Sequence, residues 1–96
     1  MRRKAVVLPD LGVPPRTVMT ISHWFVEPGR TVWRGDRLVE VLVGAATFDV
    51  SAPHSGRLVK RFGRVDDPVA PGTILAYLDA DDDPEDDPEP DADSGD

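Results

Sequence analysis

The sequence predicts an all-β protein: a flattened barrel or sandwich of two antiparallel sheets related by a pseudo-twofold axis. Short runs of alternating apolar residues, separated by Gly and Pro turns, occur between residues 4 and 79. The region also repeats, because a constant offset of 37 positions joins similar residues in its two halves. The pairs are Ile21 and Leu58, Phe25 and Phe62, Val32 and Val69, Gly35 and Gly72, Leu38 and Leu75, and Val41 and Leu78. Repeated strand–turn–strand units can pack as near-equivalent sheets.

The predicted strands are rich in β-branched and aromatic residues and are bounded by turn-forming residues. They cover residues 4–8, 17–26, 37–43, 57–62 and 72–79, with a further strand after residue 47. In the longest of them, alternation places Met19, Ile21, His23 and Phe25 on one face and Trp24 on the other. Neither face is cleanly polar, which indicates a strand with a bend.

The stretch EVLVGAATFDVSAP, residues 40–53, predicts a β-hairpin. Alternating apolar residues lie on both sides of a short break: Val39, Val41 and Val43 before it, and Phe48 and Val50 after it. Gly44 suits a tight reversal, because it has no Cβ to restrict its backbone. The hairpin is therefore expected to have Gly44 and Ala45 near its tip.

This hairpin, the preceding VEPGRTVWRGDRLVEV and the earlier PDLG together resemble the biotinyl/lipoyl attachment domain over residues 4–79. In that family a hairpin tip carries Asp-Lys-Ala, and lipoate or biotin is attached to the lysine. The resemblance places these positions on Gly44, Ala45 and Ala46. The lysine position is Ala45, whose methyl side chain cannot form the amide.

The resemblance without the lysine implies a degenerate carrier domain that holds no cofactor and is not an enzyme. The remaining lysines, Lys4 and Lys60, are not expected at a hairpin tip. We expect a non-enzymatic interaction or structural module. The alternative is a lipoyl-carrier-type component of a 2-oxo acid dehydrogenase or biotin-dependent complex, against which Ala45 counts. The lipoyl or biotinyl ancestry of the domain stays open.

The resemblance also implies protein partners. These would include the partners found in a 2-oxo acid dehydrogenase-type complex. Val43, Ala45 and Trp33 are the candidate contact residues. Trp33 follows Val32, which is expected to point inward, so Trp33 should point outward. For the hairpin, a purely connecting role is the competing interpretation. Trp24 lies where lipoyl domains often carry a core aromatic, and it is expected to pack.

Other chemistry finds little support in the sequence. His23 and His54 lack cysteine partners and the spacing of a metal site, so no metal is expected. Ser22 or Ser55 could be combined with His54 and Asp49, but no nucleophile elbow frames either serine. Two basic clusters are present, but nucleic-acid binding would need more net charge and interleaved aromatics. The clusters are Arg30, Arg34 and Arg37, and Arg57, Lys60, Arg61 and Arg64.

The net charge of −7 is unevenly distributed. Residues 80–96 contain 10 acidic residues and no basic one, whereas residues 1–79 contain 8 acidic and all 11 basic residues. We therefore predict a domain over residues 1–79 and a disordered Asp/Glu/Pro-rich tail over residues 80–96. The tail either keeps the protein soluble or lies across one of the basic clusters.

The chain contains no cysteine, which excludes disulfides and thiolate metal sites and fits a reducing compartment. The basic start is followed by too short an apolar run for an export signal. No run approaches the roughly 20 apolar residues that span a bilayer. We expect a cytoplasmic protein that binds neither membranes nor nucleic acid.

Overall fold

The computed structural model describes residues 2–80, which form seven β-strands in two antiparallel sheets. The strands are β1 (Arg2–Val7), β2 (Met19–Trp24), β3 (Thr31–Val32), β4 (Arg37–Val43), β5 (Ala46–Ser51), β6 (Gly56–Arg61) and β7 (Ile74–Ala80). One sheet has four strands in the order β1-β7-β6-β3, and the other has three in the order β2-β4-β5. The predicted all-β architecture is confirmed. Within the described part of the chain no helix could cross a membrane.

The predicted internal repeat is visible in the strand pairing. The offset of 37 maps β2 onto β6 and β4 onto β7 with every bound preserved. The register is also preserved, since Ile21 pairs with Val41 and Leu58 pairs with Leu78. Each pair of strands is interrupted by an irregularity at the same place, after Ile21 in one and after Leu58 in the other. The two halves are thus related by the expected pseudo-twofold symmetry.

The outer strands follow the same symmetry. β5 lies beside β4 as β1 lies beside β7. The Val43–Ala46 pair that closes the hairpin corresponds to the Ala80–Arg2 pair at the other end of the molecule. The hairpin tip and the ends of the first and last strands therefore occupy equivalent positions at opposite ends of the sandwich.

The core lies between the sheets and is built from symmetry-related side chains. Ile21, Leu38, Leu58, Leu75 and Leu78 are all at most 1% exposed. The other buried apolar residues are Val6, Leu8, Met19, Val32, Val39, Val41, Val50, Ala52, Ala76 and Ala80. Burying one such large side chain contributes about 1.5–3 kcal/mol, so this layer is the main favourable term holding the sheets together.

The irregularity in β2 changes which side chains face the core. The register shifts between Ile21 and His23, so the alternation restarts there. His23 is exposed, and Trp24 packs against the core instead. The predicted faces were therefore wrong beyond Ile21, because the extra residue of a bulge reverses the side-chain direction. Phe25 forms an edge-on contact with His23, with ring centroids 4.8 Å apart.

Phe48 lies on the same face of β5 as Val50, as predicted, because they pair with the buried Val41 and Val39 of β4. Phe48 is nevertheless 37% exposed, since β5 is an edge strand. The last strand extends through the buried Ala80, one residue beyond its predicted end at residue 79. Strand bounds elsewhere differ from the prediction by up to two residues. The predicted disordered tail lies outside the described residues from residue 81 onward.

Gly56 is required by a close backbone approach. A Cβ at this position would lie 2.1 Å from the Asp79 carbonyl oxygen and 2.8 Å from the Ala80 Cα. Both are backbone atoms of the adjacent strand β7, so they cannot move aside as a flexible side chain could. Its symmetry mate is Met19, so this contact is specific to the four-stranded sheet.

We predict that Gly56→Ala lowers the free energy of unfolding by about 3 kcal/mol or more, because the added methyl group forces β6 and β7 apart. The matched control is Gly72→Ala. At Gly72 an added Cβ meets nothing within 4 Å, and only its φ of 90° is unfavourable, which costs about 1–2 kcal/mol. Urea unfolding of both variants measures the difference. An equal loss in the two would contradict the close approach.

Candidate functional site

The candidate site is the tip of the β4–β5 hairpin. Gly44 has a φ of 61°, and Ala45 has no positive φ, which is the pattern of a type II′ turn with Gly in its first central position. The Gly44 amide donates to the Val18 carbonyl at 3.1 Å, which ties the tip to the segment before β2. Gly44 and Ala45 therefore form the tip, as predicted.

The surface around the tip is apolar and exposed. Ala45 and Ala46 are exposed, and Val43 is half-buried against the core. Val18, which lies beside Gly44, is 72% exposed, and Leu42 is also exposed. A patch of small and β-branched side chains at one end of a domain can contact a partner without the entropic cost of ordering long side chains.

The tip has no group that could be acylated. The Ala45 side chain is a methyl group, and Gly44 and Ala46 add neither a nucleophile nor an acid. Lys4 lies in β1 and Lys60 in β6, both in the four-stranded sheet, whereas the hairpin belongs to the other sheet. Both lysines occupy strand positions, so neither presents an amine at a turn.

Trp33 lies at the opposite end of the domain. It begins the turn that precedes β4, while the hairpin tip follows β4. A strand of this length spans about 24 Å at roughly 3.4 Å per residue. Trp33 is 65% exposed, and its amide donates to the Asp36 side chain at 2.9 Å. The outward direction of Trp33 is confirmed, but Trp33 and Ala45 cannot belong to one small contact surface.

Three residues considered for nucleophilic chemistry, Ser22, Ser55 and Asp49, form different hydrogen bonds. Ser22 donates to the Glu40 carboxylate at 3.0 Å on the three-stranded sheet. Ser55 accepts from the Arg34 amide at 2.9 Å in the turn before β6. Asp49 accepts from Arg37 at 3.4 Å. Each group is thus engaged in a different local contact. Within residues 2–80 no three His, Asp or Glu side chains are placed to hold a metal ion.

The residues of the two basic clusters of the sequence make different contacts in the structure. Arg37 packs over the Phe25 ring, 4.5 Å from its centroid, on the three-stranded sheet. Arg61 donates to the Val26 carbonyl at 3.3 Å, and its guanidinium lies 5.2 Å from the Trp24 ring centroid. Arg57 and Lys60 project from the outer face of the four-stranded sheet, in register with Asp79 and Tyr77.

A shallow groove between the edge strands β1 and β5 was not predicted. Its volume is about 350 Å³, and its apolar lining includes Val7, Pro9, Phe48 and Pro53. The symmetry places β1 and β5 at equivalent edges, so this groove lies where the two sheets meet. Alternation within each strand gives no sign of this groove, because the groove depends on how the edges of the two sheets come together.

This arrangement defines a class of protein: a twofold sandwich whose exposed hairpin joins its two halves. The model of the biotin/lipoyl attachment family, described as "Biotin-requiring enzyme", matches residues 4–78. The chain therefore belongs to the biotin/lipoyl attachment family, whose domains are carriers rather than catalysts and typically interact with protein partners in enzyme complexes. No curated protein matches the chain.

The two tryptophans give a direct test of the placement described above. We predict that acrylamide quenches Trp33 fluorescence in Trp24→Phe more strongly than it quenches Trp24 fluorescence in Trp33→Phe. The reason is that Trp33 is 65% exposed, whereas Trp24 packs on the core and donates to the Gly63 carbonyl at 3.3 Å.

The free energy of unfolding should also respond differently to substitution of the two tryptophans. Trp33→Ala should change the free energy of unfolding by less than about 0.5 kcal/mol, and Trp24→Ala should lower it by about 2–3 kcal/mol. Equal quenching together with equal stability losses would show that the two environments are alike and that the assignment is wrong.

Proposed function

We propose that this domain is an unmodified member of the biotin/lipoyl attachment family and acts as an interaction or structural module. The observation that carries the proposal is Ala45 at the exposed hairpin tip, where the family carries its acceptor lysine. Amide formation with a carboxylate of lipoate or biotin requires a primary amine, and the Ala45 methyl group provides none. The domain holds no cofactor and performs no catalysis of its own.

The positions of the two lysines support this proposal. Lys60 lies on a sheet face with its ammonium 5.1 Å from the Phe62 ring centroid. Lys4 lies within β1, in register with Leu78. A ligase that recognises a lysine at a protruding turn finds neither residue in that setting. Modification at another site therefore has no geometric support.

The apolar tip supports a role in protein binding. Ala45 and Val43 would contact a partner through van der Waals packing, and no side chain at the tip needs to lose a hydrogen bond to water. The partners are proteins, of the kind found in 2-oxo acid dehydrogenase-type complexes, and the setting is the cytoplasm. Trp33 would serve a separate contact at the other end of the domain.

The alternative is a carrier-type component of a 2-oxo acid dehydrogenase or biotin-dependent complex. The family membership is the observation in its favour. In that role the domain would move an acyl or carboxyl group between active sites, which requires a covalent arm. Ala45 disfavours this role, and mass spectrometry separates the two functions directly.

We predict that the wild-type chain keeps its unmodified mass after co-expression with a lipoyl or biotinyl ligase. We further predict that Ala45→Lys, and Ala45→Lys combined with Gly44→Asp, gain the mass of the cofactor. Gly44→Asp has space, because an added Cβ would lie 3.9 Å from the nearest atom, in the Thr17 side chain. Its positive φ is tolerated better by Asp than by most residues.

The matched control is Ala46→Lys, which places the same amine one position along the strand, where the side chain points in a different direction. This variant should stay unmodified. A cofactor adduct on the wild-type chain would refute the proposal. Modification of Ala46→Lys but not of either Ala45 variant would show that the acceptor position is not the one inferred here.

A second experiment tests partner binding at the tip. We predict that a protein recovered from the source cell with the wild-type domain is lost with Ala45→Glu, because the partner would have to desolvate an unpaired carboxylate. Ser51→Glu, an exposed substitution at the end of β5 away from the tip that likewise adds one negative charge, is the control and should retain it. Equal recovery with both variants would exclude the tip as the contact.

A further inference from the structure

The pseudo-twofold symmetry provides an internal comparison between the outer faces of the two sheets. Arg57 and Lys60 on the four-stranded sheet correspond to Thr20 and His23 on the three-stranded sheet, through the same offset of 37 that relates β6 to β2. Arg3 in β1 corresponds to Thr47 in β5 by its place in the pairing. Three positions that are uncharged or weakly basic on one face are therefore cationic on the other.

These cations are arranged around one carboxylate. Arg3 and Arg57 both lie in register with Asp79, one on each side of it across neighbouring strands. Since neighbouring strands are about 4.8 Å apart, the two arginine backbones are roughly 10 Å apart. Asp79 accepts from Arg3 at 3.0 Å. Asp79 is therefore the ion-pair partner of Arg3.

Arg57 and Lys60, which are both exposed, differ from Arg3 in having no ion-pair partner among the described residues 2–80. By contrast, Arg37 lies 3.4 Å from Asp49, and Arg61 lies 3.9 Å from Glu27. Two cations without a matching acid thus share a face with Arg3, whose acid is already used.

The strongly acidic segment of the chain follows from this same face. β7 ends at Ala80, directly after Asp79, and residues 81–96 read DDDPEDDPEPDADSGD. This segment contains 10 acidic residues and no basic one. Lys60 lies in register with Tyr77, roughly 10 Å from Ala80 along β7. An extended chain spans at most about 3.3–3.6 Å per residue, so the first few residues of segment 81–96 are enough to reach Lys60.

We propose that segment 81–96 binds the outer face of the four-stranded sheet of its own chain, with its carboxylates on Arg57 and Lys60. The covalent connection at Ala80 keeps these carboxylates at a high effective concentration beside the two cations. The occupied face is then closed to other acidic ligands. Because exposed charges are strongly screened by salt, the contact forms at low ionic strength and is lost at high ionic strength.

The test uses the full chain and compares amide NMR spectra. In the neutral-tail variant, Asp81, Asp82, Asp83, Asp86 and Asp87 are replaced by Asn and Glu85 is replaced by Gln. At about 0.01 M salt, where the Debye length is near 30 Å, the spectra of this variant and the wild-type chain should differ at Arg57 and Lys60. Thr20 and His23, their counterparts on the other sheet, should not shift. At about 1 M salt, where the Debye length is near 3 Å, the differences should disappear.

Charge reversal on the face provides the matched comparison. Arg57→Glu combined with Lys60→Glu should shift the resonances of residues 81–87 towards those seen at high salt. Arg16→Glu, which reverses an exposed arginine away from this face, should leave them unchanged. The neutral-tail variant alters no strand residue, so the proposal stays testable even if the double reversal destabilises the sheet.

Three results would overturn the proposal. Identical low-salt shifts of Arg57 and Lys60 in the wild type and the neutral-tail variant would show that no contact exists. Equal shifts at Arg16, Arg57 and the counterparts Thr20 and His23 would show a general charge effect instead of a binding face. Shifts that vanish on dilution would show that the acidic segment of a second copy occupies the face. These results do not depend on whether Ala45 is modified.

Discussion

The structure depends on the burial of one layer of symmetry-related side chains between its two sheets. Ile21, Leu58, Leu38 and Leu75 are nearly inaccessible to solvent, and each comes from a strand whose counterpart supplies the matching residue. In a chain this short only a small core can form, so each buried position counts for much of the stability. The register of β4 follows from this layer, and with it the point at which the hairpin must turn.

The hairpin tip can therefore keep its shape independently of its chemistry. Its geometry is fixed by the pairing of β4 with β5 and by the bond from the Gly44 amide to Val18, and none of these contacts uses the Ala45 side chain. A carrier scaffold stays folded whether or not position 45 bears an amine. The fold of the family and its attachment chemistry are thus separable properties of the chain.

Much of this architecture could be predicted from the sequence, because the repeat of apolar residues reports the two sheets and Gly44 marks the reversal between strands. The side-chain directions after Ile21 could not, because the bulge that reverses them depends on pairing with β4. The partial exposure of Phe48 could not be predicted either, because alternation does not distinguish an edge strand from a central one. The separation of Trp33 from Ala45, and of Arg57 from Arg61, became evident only once the strands were placed side by side.

The equivalence of the Val43–Ala46 and Ala80–Arg2 pairs has a topological consequence. The Val43–Ala46 pair is joined by the two turn residues Gly44 and Ala45. The Ala80–Arg2 pair joins the end of β7 to the start of β1. A tight turn linking Ala80 to Arg2, together with a break between Gly44 and Ala45, would exchange the roles of the two ends. Such a circular permutant would contain every sheet pairing of the parent while its chain termini lay at the former tip.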